Sequence, residues 1–505
     1  MENNYKIKNP IIRGFFPDPS ICRGHDDAYY LVVSSFEYYP LIPIFRSVDL
    51  VNWKIINFAL ISDNMGSLSI GNLPDSQGIF APTIRYDSKR YYVIGTMFNT
   101  NEKKFTQNFM VTSPDPFGTW SKPILLDIDG IDPSIYIEDD KGYIHYASWN
   151  DKTSVVKQIE IDLNTFVASK PKEICYGSGG RDPEAPHIYK KDGRYYLIMA
   201  EGGTREGHMV TMFYSDSVWG PFIPYEKNPI LTHRDFANHP FQNIGHADIV
   251  QTKEGSYFMF VLGIRPKGIL RHNMGREVFI KKINWDNFWP NLSKTVNIYE
   301  TMNVEQYRHN EKHYNWQELK RVPYEWCSIR SDYNEFIHFS DLGLIINASE
   351  TEISDSGKPR LILHRQEEYD FEFTSTIDLS HSTGENGIVI LNGSHNYVSI
   401  LINNKNEIQI KKQFYDIVQN EKYLTNQTEK ITLFIQGNKN NYYFGIKEEG
   451  NIKILSKVRS EVLATEVSAS PFTGVMFGLY SKGNQTKGVF IDSFIINKEP
   501  NYEVK

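Results

Sequence analysis

Five stretches of this chain begin a strand in the same way. They are Phe16-Pro17-Asp18-Pro19-Ser20-Ile21, Phe80-Ala81-Pro82-Thr83-Ile84, Ile131-Asp132-Pro133-Ser134-Ile135, Glu184-Ala185-Pro186-His187-Ile188 and Gly245-His246-Ala247-Asp248-Ile249. An aromatic-rich second strand follows each of them. With Tyr30, Tyr92, Ile144, Tyr196 and Phe258 as markers, the repeats are spaced by 62, 52, 52 and 62 residues. A period of roughly 40–60 residues with three or four strands per unit is the signature of a propeller blade. A solenoid or a sandwich would also repeat. A propeller fits better, because nearly every repeat opens on a polar or acidic residue and the innermost strands of a propeller converge at one mouth. Five blades are therefore predicted within residues 1–300.

The chain has 505 residues, enough for more than one domain. Residues 301–325 change character, with a charged and polar stretch broken by Val322-Pro323, and are read as a linker. From 326 to 505 alternating apolar runs recur between polar turns such as Asn403-Asn404-Lys405-Asn406, the pattern of a β-sandwich. The fold class is all-β. The composition agrees: 14% of residues are aromatic, with 31 Tyr and 30 Phe, residue types that favour strands.

Net charge is −7 with both signs interspersed, so no basic patch argues for a nucleic-acid partner. No apolar run approaches the roughly 18–20 residues of a membrane span. The opening Met1-Glu2-Asn3-Asn4-Tyr5-Lys6 has no apolar signal core. A cytoplasmic protein with no membrane partner is expected; homo-oligomerisation stays open. Cys22, Cys175 and Cys327 are an odd, scattered set and are read as ordinary thiols.

Asp18, Asp132 and Glu184 stand at or beside one position of the repeat, with His246 at the same place in the fifth copy. A propeller would bring them to one pocket. Glycoside hydrolysis needs such a set: one carboxyl protonates the leaving oxygen and another acts at the anomeric carbon. The acid must hold its proton near neutral pH, and a neighbouring carboxylate keeps it there by repulsion. A third acid is therefore expected.

The motifs Gly14–Ser20, Ser34-Ser35-Phe36-Glu37-Tyr38-Tyr39-Pro40, Ser47-Val48-Asp49-Leu50-Val51-Asn52-Trp53, Gly130-Ile131-Asp132-Pro133-Ser134, Glu184-Ala185-Pro186, Gly245-His246-Ala247-Asp248 and Gly275-Arg276-Glu277 resemble glycoside hydrolase family 43. The likeness is to its β-xylosidase and α-L-arabinofuranosidase branch, and it runs through the whole chain. It implies a five-bladed β-propeller followed by a concanavalin-like jelly roll. It implies an exo-acting, inverting enzyme that releases β-1,4-linked xylose from short xylo-oligosaccharides, with α-L-arabinofuranose as the alternative sugar. Asp18 would be the general base, Glu184 the general acid, and Asp132 the group that raises the pKa of Glu184 and orients it. Arg276 would hold the terminal sugar. Phe36, Phe80 and Trp149 would offer stacking surfaces, while Thr204 and His208 would border the pocket. His246 would line the channel and face a structural calcium ion through water, an ion the reaction does not require. Phe80 and Ile131 depart from the branch's usual Trp and Phe, which bears on the choice of pentose. Tyr480 would sit where the second domain reaches over the pocket.

Two other readings compete. Arg181-Asp182-Pro183 imitates a motif of the fructan and sucrose hydrolases, but their Asn-Asp-Pro-Asn-Gly start is replaced here by Phe16-Pro17-Asp18-Pro19-Ser20. A non-catalytic sugar-binding propeller is the reading from another class. Such a binder would have no use for three acids.

Overall fold

Each of the five strand starts folds into the same kinked entry. In the computed structural model, which describes residues 5–150, 153–268, 271–355, 357–448, 451–468 and 470–499, Asp18, Ala81, Asp132, Ala185 and His246 have φ of 59°, 30°, 54°, 49° and 51°. Residues other than glycine rarely occupy that region. In blades two to five the pairing register slips at this point, between Phe80 and Thr83, Ile131 and Ser134, Glu184 and His187, and on both sides of Gly245. Such a bulge sets two residues against one and re-aims side chains. It also explains why Glu184 lies one residue ahead of Asp18 and Asp132 in the repeat: the left-handed residue of its copy is Ala185.

The innermost strands are Ser20–Arg23, Gly78–Tyr86, Ile131–Glu138, Glu184–Lys191 and Gln242–Gln251. Antiparallel strands spread outward from each, as in blade three, ordered Ile131–Glu138, Lys141–Trp149, Ser154–Asp162 and Lys172–Cys175. Blade five has three named strands, and the front of the chain completes its edge. Ile11 and Ile12 donate their amides to the Val278 carbonyl, and the Val278 amide returns to Ile12. Tyr5–Lys8 pairs with Tyr299–Met302 in a separate two-stranded sheet. Second strands such as Tyr29–Val32 are buried along their whole length, which accounts for their aromatic and β-branched content. Each such large apolar side chain contributes about 1.5–3 kcal/mol on burial.

The second domain stacks two eight-stranded antiparallel sheets. The predicted linker is longer than the observed one, because Glu311–Asn315 already pairs with Lys487–Lys498 inside the sandwich. The connection proper is therefore residues 303–310. The polar sequence of the predicted linker hides the strand Glu311–Asn315, in which Tyr314 alone is buried. The outer predicted limits, residues 1–4 and 500–505, lie outside the described residues. No α-helix occurs among the described residues.

The two domains share backbone. Tyr38–Tyr39, from the first blade, forms the edge strand of a sandwich sheet by pairing with Trp326–Ile329. Beside that junction the buried Arg330 side chain reaches Asp75, the Leu73 carbonyl and Ser394. All three cysteines are buried and unpaired.

Candidate active site

The five kinks surround a cavity of about 350 Å³, lined by Asp18, Ala81, Asp132, Glu184 and His246 and by the residues around them. The repeat thus brings all three predicted carboxylates to one place. Asp18 is held from three sides. Its Oδ2 accepts from the Ser34 hydroxyl at 2.6 Å, its Oδ1 accepts from Arg276 Nη1 at 3.0 Å, and His246 Nδ1 lies 3.6 Å away. Ser34 is itself oriented, because its oxygen accepts the Ala81 amide at 2.7 Å and leaves its proton for Asp18. Asp132 accepts the Ala185 amide at 3.2 Å, a contact that fixes it against the residue next to Glu184.

The surroundings push the acids apart. Burial would raise the Asp18 carboxyl, but Arg276, His246 and the Ser34 hydroxyl outweigh it and hold Asp18 below the usual carboxylate range. Among the described residues Glu184 has no such cation at contact. Burial first, then the charges of Asp132, Asp18 and Asp182, push it well above the usual range. Asp132 is pushed up to about 6, by burial and by Asp18, against the pull of His246 and the Ala185 amide. One group charged and one protonated at neutral pH is the pairing acid–base catalysis needs.

Asp132→Asn tests this arrangement. Removing a negative neighbour eases the ionisation of Glu184, so the alkaline limb of kcat/KM should move to lower pH. A charge at contact range shifts a carboxyl by about 1–3 pH units. A pH profile with an unmoved alkaline limb would take Asp132 out of that role.

Arg276 is tied into the carboxylate cluster. It pairs with Asp18 and donates to Thr204 Oγ1 at 3.0 Å. Its guanidinium carbon lies 6.0 Å from the Phe36 ring centre and 5.5 Å from that of Phe472. Phe36 and Phe80, 5.1 Å apart, form the apolar wall, with Phe98 stacked behind Phe80 at 4.8 Å. Ile131, Thr204 and Arg205 also line the cavity.

Several expectations need correction. Trp149 ends the strand Lys141–Trp149, is 54% exposed and is not part of the cavity lining. It stands two residues past Ala147, which is the residue paired with the cavity-lining Ile131. His208 is buried and is not part of the cavity lining, with Nδ1 at 2.9 Å from the Asn243 carbonyl. Its ring fills the space beside Gly245, where an added Cβ would meet it at 2.4 Å. Burial pushes its imidazole down to about 3, so it stays neutral. Tyr480 lies within the strand Met476–Lys482 and away from the cavity.

The residues that reach over from the sandwich are Pro471 and Phe472. Their loop docks through Val475 N to Asn273 O at 2.7 Å and Thr465 N to His272 O at 2.9 Å. Gly275 and Gly474 permit the approach, since a Cβ on Gly474 would meet Gly275 N at 2.6 Å. Phe472 then stacks on Phe36, with ring centres 6.1 Å apart. Ser34, although it opens one of the motifs, and Phe472 are site residues to which the motif pattern gave no role. The Pro471-Phe472-Thr473-Gly474 turn was the only signal for the second.

A calcium ion on the propeller axis does not fit the residues present. Calcium takes six to eight oxygen ligands, whereas Asp248, two residues past His246 on the same strand, is already paired with the guanidinium of Arg85, whose Nη1 lies 2.8 Å from Asp248 Oδ2. Among the described residues no group of three or more His, Cys, Asp or Glu could hold a metal.

Comparison with known proteins agrees with this fold. Residues 7–290 match the sequence model of glycosyl hydrolases family 43, and residues 314–494 match the beta xylosidase C-terminal Concanavalin A-like domain. The chain is 33% identical over 495 residues to the non-reducing end alpha-L-arabinofuranosidase BoGH43B of Bacteroides ovatus, covering 95% of this chain and 92% of that one. It is 33% identical over 431 residues to a xylosidase/arabinosidase of Butyrivibrio fibrisolvens, covering 80% of this chain and 81% of that one. Among solved structures, the Bacteroides ovatus xyloglucan-locus GH43B superimposes with a TM-score of 0.88 at 30% identity, covering 97% of this chain and 99% of that one. The xylan beta-1,4-xylosidase of Bacillus halodurans superimposes with a TM-score of 0.90 at 23% identity, covering 97% of this chain and 100% of that one, and supports the fold alone.

Proposed function

The chain belongs to glycosyl hydrolases family 43, and on that premise we propose that it removes a terminal β-1,4-linked xylose from short xylo-oligosaccharides with inversion at the anomeric carbon. The observation that carries this reading is the opposed electrostatics of Asp18 and Glu184 in one cavity. In the proposed reaction Asp18 takes a proton from a water molecule as the water oxygen bonds to the anomeric carbon. The bond from that carbon to the glycosidic oxygen breaks, and the Glu184 proton passes to the leaving oxygen. Asp132 remains charged and keeps that proton in place beforehand. Arg276 and Thr204 bind sugar hydroxyls, while Phe36, Phe80 and Phe472 cover an apolar sugar face.

A second reading, release of terminal α-L-arabinofuranose, is favoured by the activity named for the Bacteroides ovatus relative. Phe80 and Ile131 line the cavity and bear on the choice between the two sugars. Proton NMR of the reaction with xylobiose tests the first reading. α-Xylose should appear first and equilibrate later. β-Xylose first would mean a nucleophile in place of a base. No cleavage of xylobiose, with cleavage of an arabino-oligosaccharide, would select the second sugar.

A further inference from the structure

Two residues past each left-handed position the inner strands carry polar side chains, and three of these meet on the axis: Ser20, His187 and Asp248. Arg85, from the second blade, joins them. Its Nη1 and Nη2 donate to the two Asp248 oxygens at 2.8 and 3.0 Å, and Nη2 also donates to His187 Nδ1 at 2.9 Å. Nη1 reaches the Ile21 carbonyl and the Ser20 hydroxyl, both at 3.2 Å. Asp248 further accepts from Ser20 Oγ at 2.7 Å, Ile21 N at 2.9 Å and Tyr189 OH at 2.6 Å. The carboxylate is fully buried, while the Arg85 side chain is 17% exposed. One guanidinium thus ties the inner strands of blades one, two, four and five.

We propose that Arg85 is the resident cation of the propeller axis, doing the bridging a divalent ion would otherwise do, and that it acts as a positioning residue for the catalytic carboxylates. Three of its partners lie two or three residues past a cavity residue in the same strand or its entry: Ser20 past Asp18, His187 past Glu184, and Asp248 past His246. A planar fork held by fixed acceptors sets distances between strands more strictly than a mobile ammonium would. His187 must accept from Arg85, so its proton sits on Nε2 and it stays neutral. Burial, which pushes it down to about 3, has the same effect. A calcium ion at this place would face a fixed positive charge and acceptors already in use. The claim about the cation stands without the proposed reaction; the claim about positioning rests on it.

The first test uses the unaltered protein. Elemental analysis should find no stoichiometric calcium, and EDTA should leave both Tm and kcat unchanged. Bound calcium, or a fall in Tm on chelation that calcium reverses, would overturn the first claim even if no glycoside were cleaved. Arg85→Ala leaves Asp248 buried without its cation. Its Tm should fall, and calcium or guanidinium ions should partly restore it. Its kcat should fall by about 10²-fold, the cost of an ~1 Å misplacement of catalytic groups, with KM much less changed. Arg85→Lys keeps the charge without the fork and should retain Tm better than kcat. An Arg85→Lys enzyme with unaltered kcat, or an Arg85→Ala enzyme equally stable and active without added cations, would remove Arg85 from this role. Should Arg85→Ala fail to fold, the unaltered protein and Arg85→Lys still decide both claims.

Discussion

Glu184→Ala is expected to lower kcat/KM for an oligosaccharide by about 10²–10⁴-fold, the usual worth of a positioned general acid. The loss should depend on the leaving group. A sugar alkoxide is a poor leaving group and needs a proton as the bond breaks. A dinitrophenolate leaves without one. An aryl glycoside with such a group should therefore be turned over by Glu184→Ala at a rate much closer to that of the unaltered enzyme. The structural reason is that burial, then the charges of Asp132 and Asp18, oppose the ionisation of Glu184 and hold its carboxyl well above the usual range. Among the described residues no hydrogen bond from a cation draws the proton off, in contrast to Asp18 with Arg276. Binding of xylobiose to the variant, read by calorimetry, should persist. Equal losses on both substrates would assign the proton transfer to another group. Full activity on both would mean that the cavity's acid is not Glu184.

The blades and the three carboxylates were legible in the sequence for one physical reason. A bulge that aims a side chain at an axis has a local signature, and this chain repeats it five times. The proline after Asp18, Ala81, Asp132 and Ala185 marks the kink, and the variable residue beside it marks the chemistry. Trp149 and His208 were misplaced because nearness in sequence to a strand end does not say which side of the strand faces the cavity. The strand that ends at Trp149 contributes none of the described residues that line the cavity, and His208 turns its Nδ1 to the Asn243 carbonyl. Phe472 was hidden for a different reason. It reaches Phe36 and Arg276 from the other domain, through backbone contacts such as Val475 with Asn273 that no local pattern encodes. Arg85 was hidden in the same way. Its charge is satisfied by Asp248, 163 residues later in the chain, and a lone arginine at the end of an apolar strand start carries no sign of that.

Asp18→Asn should cost as much as loss of the acid, about 10²–10⁴-fold, but without regard to the leaving group. The base acts on water, so an activated aryl glycoside gains nothing when the base is missing. The substitution keeps the shape of the side chain, and an amide oxygen can still accept from Arg276. What disappears is the charge that Arg276, His246 and Ser34 hold in place. The water then has no acceptor for its proton as its oxygen reaches the anomeric carbon. A second consequence separates this variant from Glu184→Ala. Asp18 is one of the charges that keep Glu184 protonated, after burial and Asp132. Whatever activity remains in Asp18→Asn should lose its alkaline limb at a lower pH than the unaltered enzyme does. Comparing the two variants on one oligosaccharide and one activated glycoside, each across pH, reads both effects at once. If Asp18→Asn hydrolysed the activated glycoside as fast as the unaltered enzyme, Asp18 would not be the group that deprotonates water. The ion pair with Arg276 would then be a device for holding sugar, and the base would have to be sought at Asp132.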